Sequence, residues 1–263
     1  MDDKPRPEAG AAGGGLPKGA RPGGAAEWVR ENLGFTPDAQ QARELESGIR
    51  RGLLNCTRQW GKSTVTAAKA VHQAQTEPGS LPLVVSPSAR QSGEFVRKAA
   101  EFVRRLKIKP VGDGDNAISL ELPNRSRIVG VPGGEGTVRG FSAVSLLLVD
   151  EAARVSDEMY KAIRPMLAVS SGALWLMSTP HGKRGFYYEA WQGSDAEWER
   201  IRVTAYDCPR IGRGFLEEER KAMGERWFRQ EYLCEFVDEV SGVFSRDVVA
   251  RAVREDIEPL EIR

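Results

Sequence analysis

Histidine and cysteine are scarce in this sequence. There are two histidines, His72 and His181, and three cysteines, Cys56, Cys208 and Cys234. Two distant histidines build no imidazole metal cluster. Three widely separated cysteines show no metal-ligand spacing and cannot all pair within one chain, so the expected setting is a reducing interior. Net charge is scarce as well, at +1. No overall field calls for an anionic partner, and any nucleic-acid contact has to come from local patches. No apolar run approaches the roughly 18 residues of a membrane span. The N-terminus lacks the apolar block of a signal peptide, and no internal repeat is present. At 263 residues the chain suits one large domain, or one domain with appendages, able to bury a sizeable core.

What is present begins with Asn55-Cys56-Thr57-Arg58-Gln59-Trp60-Gly61-Lys62-Ser63-Thr64. The apolar pair Leu53-Leu54 ahead of it reads as the end of a buried strand, and Val65 to Val71 has helix composition. Strand, tight loop, Gly-Lys-Ser and helix form the setting of a phosphate-binding loop. The unpaired N–H groups and the dipole at a helix start favour an anion there. Lys62 adds a point charge for the outer phosphates, and Ser63 offers a hydroxyl to Mg²⁺. Lys62 alone would read as a surface lysine; its spacing and flanks make it a nucleotide ligand. One departure stands out: Cys56 occupies the place of the loop's usual first glycine, so the loop cannot enter by the same unhindered turn.

Around this loop the chain reads in order. Residues 1–24, rich in Gly, Pro and Ala, bury too little to offset ordering entropy and are expected to form a mobile tail. A short helix covers Ala25 to Asn32. Thr36 or Asp38 caps a second helix running through Arg51, with Pro37 in its first turn. Gln41, near its start, could donate to and accept from an adenine edge; alone it reads as an exposed helical glutamine. Leu81 to Ser86 is a second buried strand, and a helix follows from Ala89 to about Lys107. Arg90, Arg97 and Arg104 recur every seven residues and share one face of it. That basic stripe is a candidate contact for DNA or a neighbouring subunit, although a charged helix face is usually just solvated.

Ile118–Leu122 and Ser126–Val131 alternate around Pro123-Asn124, the signature of a hairpin. A glycine-rich run, Pro132 to Gly140, carries Arg139. Near a nucleotide that arginine could clamp phosphate oxygens; by composition alone it is a loop arginine in solvent. Ser145-Leu146-Leu147-Leu148-Val149-Asp150-Glu151 is a buried strand that emits two acids at its C-terminal end, the edge where open parallel sheets bind ligands. Asp150 would support Mg²⁺, and Glu151 would polarise the attacking water. Ala173 to Pro180 is another buried strand, and the same edge logic sets Ser178 and Thr179 close to a γ-phosphate. Trp198 to Thr204 is a further strand. Glu217 to Cys234 is helical with a break near Gly224, its aromatics Trp227, Phe228 and Tyr232 reading as core.

These motifs together resemble the ATPase half of large terminase subunits, the genome-packaging motors of tailed double-stranded DNA phages. Phe35 to Gln41 is similar to the family's adenine-recognition segment. Asn55 to Ser63 is similar to its deviant phosphate loop, in which an arginine, here Arg58, is added. Thr137-Val138-Arg139-Gly140, Leu147 to Ala152 and Met177 to Pro180 resemble its Arg-Gly segment, its metal and base motif and its coupling motif. The match runs from about residue 28 to 245.

The resemblance implies an α/β, additional-strand (ASCE) P-loop NTPase: a mostly parallel sheet with helices on both faces and the Ser178-Thr179 strand between the phosphate-loop strand and the Asp150-Glu151 strand. It implies ATP and Mg²⁺ as cofactors. Gln41, Arg58, Gln59, Gly61, Lys62, Ser63, Thr64, Ser178 and Thr179 would line the nucleotide, Ser63 and Asp150 the metal. Glu151, Arg139 and Arg58 would be the catalytic side chains. The implied partners are double-stranded DNA, a homo-oligomeric ring of copies on a portal, and a small terminase subunit, in the host cytoplasm and away from membranes. A helicase-like translocase shares the loop and acids but needs a second motor domain, for which the residues after Pro180 are too few. A nucleotide-binding scaffold without turnover is suggested by Cys56 and opposed by Lys62, Ser63, Asp150 and Glu151. Large terminases also carry a C-terminal nuclease. Phe244-Ser245-Arg246-Asp247 resembles the junction before it, and the chain ends nineteen residues after Phe244. The expected domains are therefore a tail (1–24), an ATPase domain (25–243) and a linker (244–263), without DNA-cutting activity.

Overall fold

The computed structural model describes residues 24–111, 118–133 and 140–238. Arg139, most of the 1–24 tail and the 244–263 junction lie outside the described residues. Two helices come first, α1 (Ala25–Leu33) and α2 (Ala39–Glu46). α2 is shorter than its sequence suggests. It stops at Glu46 rather than Arg51, because Arg51 already opens strand β1 (Arg51–Cys56). There follow α3 (Lys62–Thr76), β2 (Pro82–Ser86), α4 (Ala89–Arg105), β3 (Ser119–Glu121) and β4 (Arg127–Pro132). The second half adds β5 (Leu146–Asp150), α5 (Asp157–Ile163), β6 (Ala173–Ser178), α6 (Gly185–Gln192), β7 (Trp198–Val203) and α7 (Arg213–Glu231).

The seven strands form one sheet in the order β3-β4-β2-β5-β6-β1-β7. Every neighbouring pair is parallel except β3 with β4, the expected hairpin, which closes one margin. β6 therefore lies between β1 and β5, as the resemblance implies. Parallel strands in this order deliver the ends of β1, β6 and β5 to one rim.

Alternation along the strands explains the two helical layers. Leu54, Val84, Leu148, Trp175 and Met177 face a core with α1 to α4, while Leu53, Leu83, Leu147, Val149, Leu174 and Leu176 face a core with α5 and α6. Strands buried on both faces read as continuous apolar runs, which is why the sequence displayed them so clearly. Gly52 has a packing reason: a Cβ there would sit 2.3 Å from the Trp175 indole on the adjacent strand.

α7 is kinked at Gly224 (φ 78°, ψ 160°), where the sequence predicts a break. Of the aromatics at its end, Phe228 and Tyr232 are buried in a small core of their own, but Trp227 faces solvent, since residues four apart share a helix face and Trp227 is turned off it. All three cysteines are buried and unpaired. Burial pushes the Cys56 thiol up to about 12 and Cys234 higher still. On α4, Arg97 is held by Glu94 and Glu101, so the middle of the basic stripe is neutralised locally. Among the described residues no helix is long and apolar enough to cross a membrane.

Candidate active site

The phosphate loop turns without a glycine at position 56. Cys56 is still strand, paired with Val203 of β7. The reversal falls later, on Gln59 (φ 64°) and on Gly61 (φ 99°), the residue capping α3. Glycine takes that backbone without strain. At Gly61 there is also little space, because a Cβ would lie 3.2 Å from the Gln41 amide.

Trp60 is the anchor of this loop, and sequence reading missed it. Its ring is buried. Its Nε1 donates to Asp38 Oδ2 at 3.1 Å, and its carbonyl accepts from Gln41 Nε2 at 3.1 Å and from Arg210. Asp38 Oδ1 meanwhile caps α2 by accepting from the N–H groups of Gln40 and Gln41, and Gln41 Oε1 accepts from Asp38 N–H. The amide of Gln41 is thus engaged by protein at both ends, tying α2 to the phosphate loop. The Asp38-x-x-Gln41 spacing is a capping-box signal that could have revealed half of this.

Across the rim, Lys62 Nζ lies 2.9 Å from Glu151 Oε1, and Arg154 Nη1 lies 2.9 Å from Glu151 Oε2. Burial works against the Lys62 ammonium, but the facing acids hold its pKa above the lysine norm. Burial likewise works against ionised Glu151. Lys62, Arg154 and Arg58 outweigh it and hold the carboxyl below its ordinary value. Glu151 stands in left-handed backbone (φ 50°, ψ 42°), a conformation that costs a non-glycine residue about 1 kcal/mol or more and clusters at functional sites. Asp150 closes β5. Burial pushes its carboxyl up to about 6, with Lys62 opposing and Glu151 adding to the rise. Its Oδ1 accepts from the Glu151 N–H.

Ser178 and Thr179 differ. Ser178 stands beside Asn55 in register, and its hydroxyl donates to the Thr179 carbonyl at 2.7 Å. The buried Thr179 hydroxyl has no hydrogen-bond partner among the described residues. It is the one of the two still free to meet a ligand.

Arg58 is turned toward α7, with Nε 2.5 Å from Glu231 Oε2. The end of α7 is stapled over the loop: Thr57 donates to the Glu231 carbonyl and Asn55 to the Cys234 carbonyl, each at 3.0 Å. Glu231 and Arg154 are both site residues that carried no motif in the sequence.

The family model for the N-terminal part of the T4-like-virus type of terminase large subunit matches residues 53–251. The chain belongs to this terminase family. The large terminase subunit of Thermus phage G20c is 27% identical over 250 residues, covering 82% of this chain and 52% of the relative. The terminase chain thus spans about half the length of that curated relative. Among solved structures, the large terminase ATPase domain of Thermus phage P74-26 superposes with a TM-score of 0.71 at 24% identity, covering 81% of this chain and 99% of that one. The large terminase of another thermophilic bacteriophage, solved in complex with ADP, gives 0.62 at 11% identity, covering 81% and 52%. The fold of the terminase chain is accordingly the additional-strand P-loop NTPase fold implied by its motifs.

Proposed function

We propose that this terminase chain is the ATP-hydrolysing motor that drives double-stranded DNA into a procapsid. The observation that carries the reading is the meeting of Lys62, at the start of α3, with Asp150 and Glu151, at the end of β5, at the rim of the sheet. The triphosphate sits on the start of α3, against the backbone of Gln59 to Thr64 and the ammonium of Lys62. Ser63 and Asp150 hold Mg²⁺. They fit it: two hard oxygen donors suit an ion that takes its other ligands from phosphates and water, and Asp150, buried with its carboxyl pushed up to about 6, gains from a cation beside it. Mg²⁺, when bound, neutralises charge on the phosphate oxygens.

Glu151 aligns the attacking water and accepts its proton. Thr179 offers its hydroxyl to the γ-phosphate and Ser178 fixes the strand end. Arg58, or Arg139 of a neighbouring copy, counters charge on the transferring phosphoryl, an effect worth about 10³–10⁵ in rate, or roughly 4–7 kcal/mol of barrier. Gln41 serves by holding the loop; reading adenine requires its amide to give up a present partner. A ring on a portal, a small terminase subunit and the host cytoplasm complete the proposal. DNA is gripped through its phosphates, so binding weakens with salt and ignores sequence.

The test is steady-state ATP hydrolysis with double- and single-stranded DNA, with Lys62→Ala as control. Stimulation by duplex supports the reading; stimulation by single strands alone favours a helicase-like translocase. Turnover that survives Lys62→Ala removes the assignment. Mixing Glu151→Ala with Arg139→Ala protein then asks whether Arg139 acts across subunits, which partial recovery supports and none counts against.

A further inference from the structure

Arg154 touches both halves of the site. Its Nη1 lies 2.9 Å from Glu151 Oε2, while its Nη2 lies 3.8 Å from Glu231 Oε1. Each acid has a second cation that a nucleotide would claim: Lys62 on Glu151 Oε1 at 2.9 Å, and Arg58 on Glu231 Oε2 at 2.5 Å. Charged groups of alternating sign thus form a chain from the phosphate loop, through Arg154, back to the phosphate loop.

Phosphates arriving at the start of α3 draw Lys62 off Glu151, and an Arg58 that turns to them leaves Glu231. Glu231 is 7% exposed, and a buried carboxylate that loses its partner is strongly disfavoured. The cation that stays beside both acids is Arg154. A guanidinium has donors enough, in a fixed planar fork, to serve two carboxylates at once.

We propose that Arg154 is a positioning residue for Glu151, bridging it to Glu231 so that Oε2 stays fixed while Oε1, released by Lys62, faces the attacking water. The proposal rests on the ATPase reading above. Arg154 contacts no reacting atom itself. It sets the direction of the carboxylate that does, and it makes the end of α7 part of that setting.

The experiment uses the full chain with three substitutions, Arg154→Gln, Arg154→Lys and Glu151→Gln, and the double variant Arg154→Gln/Glu151→Gln. Steady-state hydrolysis gives kcat and KM, single-turnover hydrolysis covers the slow variants, and calorimetry gives the ATP affinity without added Mg²⁺. Arg154→Gln should lower kcat about tenfold or more, within the range of general-base contributions, while KM and affinity stay within about twofold. Arg154→Lys should recover part of kcat, because an ammonium can hold Oε2 but cannot fork to Glu231. With Glu151→Gln already present, Arg154→Gln should cost nothing further, since groups acting as a unit are non-additive.

Unchanged kcat in Arg154→Gln overturns the proposal. So does an equal, independent loss in the Glu151→Gln background, or a loss of affinity matching the loss of kcat. If Arg154→Gln fails to fold, a full-rate Arg154→Lys also overturns it, because a lysine cannot bridge both acids. Failure here with Lys62→Ala still inactive leaves the ATPase reading standing; activity in Lys62→Ala removes both.

Discussion

Lys62, at the start of α3, and Glu151, just past the end of β5, hold each other, ammonium to carboxylate at 2.9 Å. Each is the group the other must release before the proposed reaction can begin. A triphosphate therefore competes with Glu151 for Lys62, and its arrival frees the carboxylate at the moment a water needs it. Glu151→Gln should tighten ATP binding severalfold, since a part-buried ion pair no longer opposes it, while hydrolysis falls about 10²–10⁴-fold. Calorimetry and a turnover assay on one protein sample read both. Unchanged affinity would mean that the pair does not gate the loop.

Gln41 is built into the loop rather than left open to a base. Gln41→Ala removes the donor to the Trp60 carbonyl and the acceptor for Asp38 N–H, a loss of about 1–3 kcal/mol. KM should rise by about tenfold for ATP and for GTP alike. A rise confined to ATP would show that the amide reads adenine instead.

Glu44 gives a pH signature. It is fully buried on α2 and neither carboxylate oxygen accepts a hydrogen bond among the described residues; Lys69 of α3 lies 3.7 Å away and Glu199 of β7 faces it. Burial pushes its carboxyl from 4.5 up to about 7 against the pull of Lys69. Between those values the folded protein keeps a proton that the unfolded chain releases. Stability should therefore fall by about 3 kcal/mol as pH rises from 4.5 to 7, and level off above. In Glu44→Gln the ramp in a plot of Tm against pH should become shallower and end near pH 6, where the raised carboxyl of Asp150 finishes titrating. An identical ramp in the variant would assign it to other groups.

Gly52 should tolerate no side chain. The added methyl of Gly52→Ala meets the Trp175 ring, which is itself packed under Lys69 with Nζ 4.8 Å from the ring centroid. Overpacking of this kind costs about 1–3 kcal/mol, read as a lower midpoint in urea. A companion Trp175→Phe should recover part of it; no recovery would place the strain elsewhere.

The sheet was legible because its central strands are buried on both faces and leave long apolar runs, as at Leu146–Val149 and Leu174–Met177. The kink at Gly224 and the cap at Asp38 were legible for a similarly local reason: each is a backbone requirement written in one residue. Lys62, Asp150 and Glu151 could be read because loop and strand edge fix where they point. Glu231, Arg154, Arg210 and the inward turn of Trp60 could not. Their roles depend on contacts between segments far apart in the chain, Glu231 and Arg154 on α7 folding back over the loop, Trp60 on Asp38 and Arg210, and nothing periodic records such contacts. The end of α2 was misplaced because the stop signal is Ser47-Gly48, just past Glu46, rather than the Arg50-Arg51 pair at which β1 begins.

The burial of Cys56, Cys208 and Cys234 has a practical side. Thiols shielded from solvent are poor targets for maleimides and iodoacetamide, and burial further holds the Cys56 and Cys234 thiols back from ionising. A single cysteine introduced at the exposed Trp227 position on α7 should then take up a fluorophore against an almost silent background. The helix end that overlies the nucleotide loop can in this way be followed by energy transfer in otherwise unaltered protein.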